Sequence, residues 1–109
     1  MMCDIENKIE SCFFEMPPER DPNLSSIGEF FKLFKEYKEV NNGRSSKYED
    51  EFYNRLPFIM EAYGNRLHPA VERSMYTYLL KEIQKVPFSE IGRNKIEGYV
   101  QECIENIVL

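Results

Sequence analysis

The residues able to do chemistry in this sequence are few, and their spacing narrows what they can do. His68 is the only histidine. Any serine or cysteine nucleophile would therefore have to pass its proton through that one imidazole. Asn65 and Arg66 beside it complete no motif, and its place between Leu67 and Pro69, at a helix entrance, suits a capping role. Cys3, Cys12 and Cys103 make an odd number without a CxxC pair, which fits neither a disulfide framework nor a four-ligand zinc site. Buried, reduced thiols are the expectation. Glu49, Asp50 and Glu51 form an acid run, but three consecutive helical residues point in different directions. A carboxylate-bridged metal pair needs i, i+3 or i+4 spacing, and Glu61 has Gly64 where an ExxH pair would place histidine. Calcium-loop and phosphate-cradling glycine motifs are absent. The expectation is a protein without catalytic residues, metal or cofactor.

What remains is surface chemistry. Nineteen acids against fourteen bases leave a net charge of −5. Asp4, Glu6, Glu10, Glu15, Glu19 and Asp21 crowd the first stretch, and Glu97, Glu102 and Glu105 the last. Lys32, Lys35, Lys38, Arg44 and Lys47 make one early segment mildly basic. An acidic chain repels phosphate backbones and attracts basic partners. Eight Phe and seven Tyr add aromatic area that a domain of 109 residues cannot bury entirely. Tyr48, Glu49, Asp50, Glu51 and Tyr53 combine both features: rings for contact area, carboxylates for accepting hydrogen bonds from Arg or Lys. They are the expected protein-binding patch. Asp4, Glu6, Glu10 and Glu15 with Phe14 are the alternative.

The elements that must carry these residues are helices. The chain is 42% hydrophobic and 30% charged, a globular balance. Ile5, Ile9, Cys12, Phe13 and Met16 form a helical stripe over residues 4–16. Ile27, Phe30, Phe31, Phe34 and Tyr37 form a second, starting at Asp21-Pro22 or at the Ser26–Glu29 capping box and stopping at Asn42-Gly43. A third begins with Ser46 and Glu49 and carries Tyr48, Phe52, Leu56, Ile59, Met60 and Tyr63 to Gly64. Pro57 inside it predicts a kink or a split into two short helices. Val71, Met75, Tyr78, Leu79, Ile83 and Val86 define a fourth over 69–86. Ile96, Tyr99, Val100, Cys103, Ile104 and Ile107 define a fifth from about Ser89 to Ile107.

The expected fold is therefore all-α, a single domain over 1–109 built as a bundle or orthogonal array of about five helices. Its core would hold Ile5, Ile9, Phe13, Ile27, Phe30, Phe34, Phe52, Leu56, Met75, Leu79, Ile83, Val100 and Ile104. No apolar run is long enough to cross a bilayer, and MMCDIENKIE lacks the basic start of a signal peptide, so the expected address is the cytosol. In size and charge the chain is similar to the small acidic helical antidotes of bacterial toxin systems, the immunity proteins and protein antitoxins. The likeness covers no aligned stretch. It implies occlusion of a basic protein partner, such as a toxin or nuclease, by an acidic and often Tyr-rich surface. The alternatives are a self-associating scaffold, in which spare aromatics meet a second copy across a two-fold axis, and a helix-turn-helix-like regulator. Glu90, Glu97, Glu102 and Glu105 on the would-be recognition helix disfavour nucleic acid.

Overall fold

The computed structural model describes residues 4–14, 25–40, 46–65 and 67–108. They form five α-helices and, among the described residues, no strand: α1 (Asp4–Phe14), α2 (Ser25–Val40), α3 (Ser46–Gly64), α4 (Pro69–Lys85) and α5 (Glu90–Glu105). The all-α expectation holds. The Asp21-Pro22 start, the Asn42-Gly43 stop and Met16 lie outside the described residues.

The helices bury much of the stripe their spacing presents, α3 most completely. Tyr48, Phe52, Leu56, Ile59, Met60 and Tyr63 of α3 are all buried. That continuity explains why Pro57 does not divide α3. The proline removes one backbone hydrogen bond, but apolar side chains on both sides of it seat in the same core, and a single helix spans the site. On α4 the expected face is rotated. Tyr76, Leu79 and Ile83 are buried, whereas Val71 and Tyr78 are more than half exposed and Met75 is only partly covered. The reason is a specific polar partner: the buried Tyr76 hydroxyl donates to the Met60 carbonyl of α3 at 2.8 Å, and a buried phenol needs such an acceptor. Ile5 is likewise only partly buried. The remaining eleven expected core residues are buried.

Helix α1 packs on α2, α4 on α5, and α3 lies against both α4 and α5. An aromatic spine joins the two ends. Phe13 meets Phe30 at 4.8 Å between ring centroids, Phe30 meets Phe52 at 5.1 Å, and Phe34 meets Phe88 at 5.0 Å. Phe88 comes from the short connector between α4 and α5, so that connector is plugged into the α2–α3 side of the core.

Polar contacts hold the same connector. Lys38 of α2 donates its ammonium to the Pro87 carbonyl. Arg93 donates Nη1 to the carbonyls of Ile83 (3.3 Å) and Gln84 (3.1 Å), and Nη2 to that of Val86 (2.6 Å). A guanidinium there meets the terminal carbonyls, of which those of Ile83 and Val86 also accept from the Val86 and Phe88 N–H groups, and the negative dipole end of α4. Ser89 caps α5, its Oγ accepting from the Gly92 N–H at 3.1 Å. The same hydroxyl donates to Glu49 Oε1 at 2.5 Å, and the Ser89 N–H donates to Glu49 Oε2 at 2.8 Å. Glu49 thus brings a charge from α3 to the N-terminus of α5, where the Ser89 N–H and hydroxyl and the positive dipole end compensate its burial.

Candidate functional site

The structure disperses the expected binding patch. Tyr48 and Glu49 are buried, 1% and 2% exposed, and are corrected to core residues. Tyr48 stands edge-on to Tyr37 at 5.0 Å, and Glu49 is held by Ser89. Asp50 is exposed. Glu51 is half-buried and paired with Arg55 at 3.6 Å, one helical turn on. Tyr53 is half-buried, packed edge-on against Tyr99 at 6.2 Å, with the Lys95 ammonium 5.8 Å from its ring centroid. Intramolecular contacts therefore occupy every member of the patch except Asp50.

The other charged sets are partly engaged as well. Glu10, from the alternative acidic patch, pairs with Lys47 at 3.6 Å, and Lys47 also lies over the Tyr48 ring. Lys38 is bound to Pro87, while Glu15 and Arg44 lie outside the described residues. Lys32 and Lys35 share a shallow groove of about 270 Å³ with Lys85 and Glu82. His68 is the N-cap of α4, its Nδ1 accepting from the Ala70 N–H at 3.1 Å.

A larger concavity opens where α3, α4 and α5 converge. It has a volume of about 480 Å³, within the range of roughly 300–1,000 Å³ common for ligand clefts. Pro57 and Met60 form the α3 wall, Tyr76 the α4 wall, Tyr99 and Cys103 the α5 wall, and Ile107 and Val108 the far rim. Glu61 and Glu72 are its two carboxylates, and no lysine or arginine lines it among the described residues. The Glu72 carboxylate lies against Gly64, close enough that a Cβ there would touch it at 3.0 Å.

Tyr76, Tyr99 and Cys103 in this cleft are each held toward the neutral form. Burial, and then the Glu72 charge, push the Tyr76 phenol far up. Burial first, with Cys103 beside it, pushes Tyr99 up to about 12. Burial also raises the Cys103 thiol, opposed by its hydrogen bond with Tyr99 and reinforced by Glu102 and Glu72. A thiol held protonated is a poor nucleophile. The cleft thus combines aromatic and aliphatic walls with the carboxylates of Glu61 and Glu72.

A stability effect follows with a definite sign. Tyr99 ionises near its ordinary value of 10.0 in the unfolded chain but near 12 in the fold. Between those values the unfolded state binds fewer protons, so stability is full below pH 10 and is lost as pH rises toward 12. Urea melts across this interval should show a falling midpoint. In a Tyr99→Phe variant the fall should be shallower.

Glu61, Glu72, Tyr99 and Cys103 could not be assembled from sequence spacing, because they come from three helices. Tyr99 and Cys103 did share an i, i+4 face. Among the described residues, no group of three or more His, Cys, Asp or Glu is placed to hold a metal, and no helix is long and apolar enough to cross a membrane. No protein-family model matches the chain, nor does any curated protein or any solved structure.

Proposed function

We propose that this protein is a non-catalytic binding protein that covers a basic protein partner, in the manner of an immunity protein, antitoxin or inhibitor, acting in the cytosol. The observation supporting this is the α3–α4–α5 cleft: apolar and aromatic walls, two carboxylates, and no lining base among the described residues. Such a surface supplies desolvated contact area together with acceptors for Arg or Lys. The contact surface moves from the Tyr48–Tyr53 run to this cleft, with Asp50 as an outlying acid.

Selection of binders from a displayed random-peptide library tests the proposal. The retained sequences should be rich in Arg and Lys, their binding should weaken as salt rises, and Glu61→Lys with Glu72→Lys should abolish it. Retention of acidic or uncharged sequences would overturn it.

A second reading is supported by Phe58 and Tyr78, which are 60% and 58% exposed on α3 and α4. A second copy of the chain would then cover these rings. Sedimentation at rising concentration distinguishes the two readings, since only self-association makes the mass grow. The Lys32–Lys35 groove gives nucleic acid less support, because Lys38 and Lys47 of the same segment are already engaged.

A further inference from the structure

We infer that the α3–α4–α5 cleft receives an arginine side chain from the protein partner, its guanidinium between Tyr99 and the carboxylates of Glu61 and Glu72. This rests on the proposal of a basic partner and names what that partner inserts. Three observations carry it.

The first is charge without compensation. Four carboxylates of the described structure pair with cations: Glu51 with Arg55, Glu82 with Lys85, Glu97 with Arg93 and Glu10 with Lys47. Glu61 and Glu72 have no ion pair among the described residues, and both border the α3–α4–α5 opening, which no lysine or arginine lines among those residues. The second is the nature of the walls. Pro57, Met60, Tyr76 and Tyr99 offer apolar and aromatic surface with little hydrogen-bonding capacity to spare, because the Tyr76 hydroxyl is committed to Met60. A guanidinium is planar, weakly hydrated and suited to stacking on a ring while its edge meets carboxylates. An ammonium is compact and strongly hydrated and would lose more water on entering. The third is the direction of the titrations. The cleft holds Tyr76, Tyr99 and Cys103 neutral, and Glu72 contributes to this for Tyr76 and Cys103. A cation entering beside them would reverse part of that effect.

Cys103 makes the occupant measurable. Its thiol is half-buried in the cleft wall; a seated side chain shields it, and alkylation slows where that cover outweighs the thiolate-favouring charge of the cation. The probes are three short peptides identical except for one central residue: arginine, lysine or the neutral isostere citrulline. The readouts are the rate of Cys103 alkylation by iodoacetamide, followed by peptide mapping, and amide shifts in the full-length protein.

The arginine peptide should slow alkylation, the lysine peptide should do so less, and the citrulline peptide should leave the rate unchanged. Glu72→Gln, a near-isosteric change, should weaken arginine binding by about tenfold, the factor set by losing one charge-assisted hydrogen bond. Glu61→Gln, at an exposed position, should act in the same direction. Equal protection by citrulline, or full protection retained in both variants, overturns the inference. Arginine-dependent shifts confined to Asp50 and its neighbours, with Cys103 unprotected, overturn the cleft assignment while leaving the basic-partner proposal standing. No salt-sensitive binding by any cationic peptide overturns both.

Discussion

Gly92→Ala is expected to destabilise the protein by about 3 kcal/mol, even though alanine is ordinarily the better helix former by roughly 1 kcal/mol. A Cβ on residue 92 would collide with the Glu49 carboxylate and come within 3.2 Å of Ser89 Oγ. Neither group can step aside freely. Both oxygens of Glu49 are bonded to Ser89, and Ser89 Oγ is also the acceptor for the Gly92 N–H. Displacing the carboxylate strands a buried charge and unties a helix cap. Each hydrogen bond to a charged group contributes about 1.5–3 kcal/mol, and overpacking alone costs about 1–3 kcal/mol. Glu49→Ala should cost a similar amount, because it leaves the Ser89 donors without their acceptor. The diagnostic measurement is the pair: urea denaturation of Gly92→Ala, Glu49→Ala and the double variant. The double should be less destabilised than the two singles added together, since removing the carboxylate also removes the collision. Strict additivity would mean that glycine is required at 92 for some other reason.

Arg93→Ala is expected to cost about 2–3 kcal/mol and to act mainly on the end of α4. The guanidinium reaches three carbonyls at a helix terminus, adding a second donor to those of Ile83 and Val86, which already accept from the Val86 and Phe88 N–H groups, and serving that of Gln84. Its ion pair with Glu97, at 3.9 Å on a partly exposed face, adds little. Arg93→Lys separates the contributions. A lysine keeps the charge near the helix dipole but cannot fork across three acceptors, so it should recover less than half of the loss in a urea melt. Full recovery by lysine would show that charge alone matters there.

Much of the architecture was legible in the residues, and the exceptions are instructive. On α3 one stripe runs down a single face, so spacing alone located six buried side chains, while Phe58 lies off that stripe and is exposed. On α4 two stripes overlap. Val71, Met75 and Tyr78 compete with Tyr76, Leu79 and Ile83, and the winner was decided by a carbonyl on another helix, which no local pattern contains. The acid run misled for a related reason. Glu49 lies three residues before Phe52 and seven before Leu56, on the face that α3 buries. That register was visible and pointed inward, whereas Asp50, one step round the helix, points to solvent. A carboxylate on a buried face calls for a partner, but its identity, the first residue of a capping turn forty positions away, emerged only from the packing. The cleft was illegible for the same physical reason: it is a gap between helices, and gaps have no periodicity.

The connector from Val86 to Ser89 bears on how this chain can vary. Links between helices are ordinarily where a protein absorbs extra residues, since lengthening a loop has a small entropic cost. Here four consecutive positions each answer to a different part of the molecule: Val86 to Arg93, Pro87 to Lys38, Phe88 to the aromatic spine and Ser89 to Glu49. One inserted residue could preserve some of these attachments but not all four. The segment least like regular structure is therefore the one whose length is least negotiable, and drift in this sequence should leave its spacing untouched while changing the helix surfaces on either side.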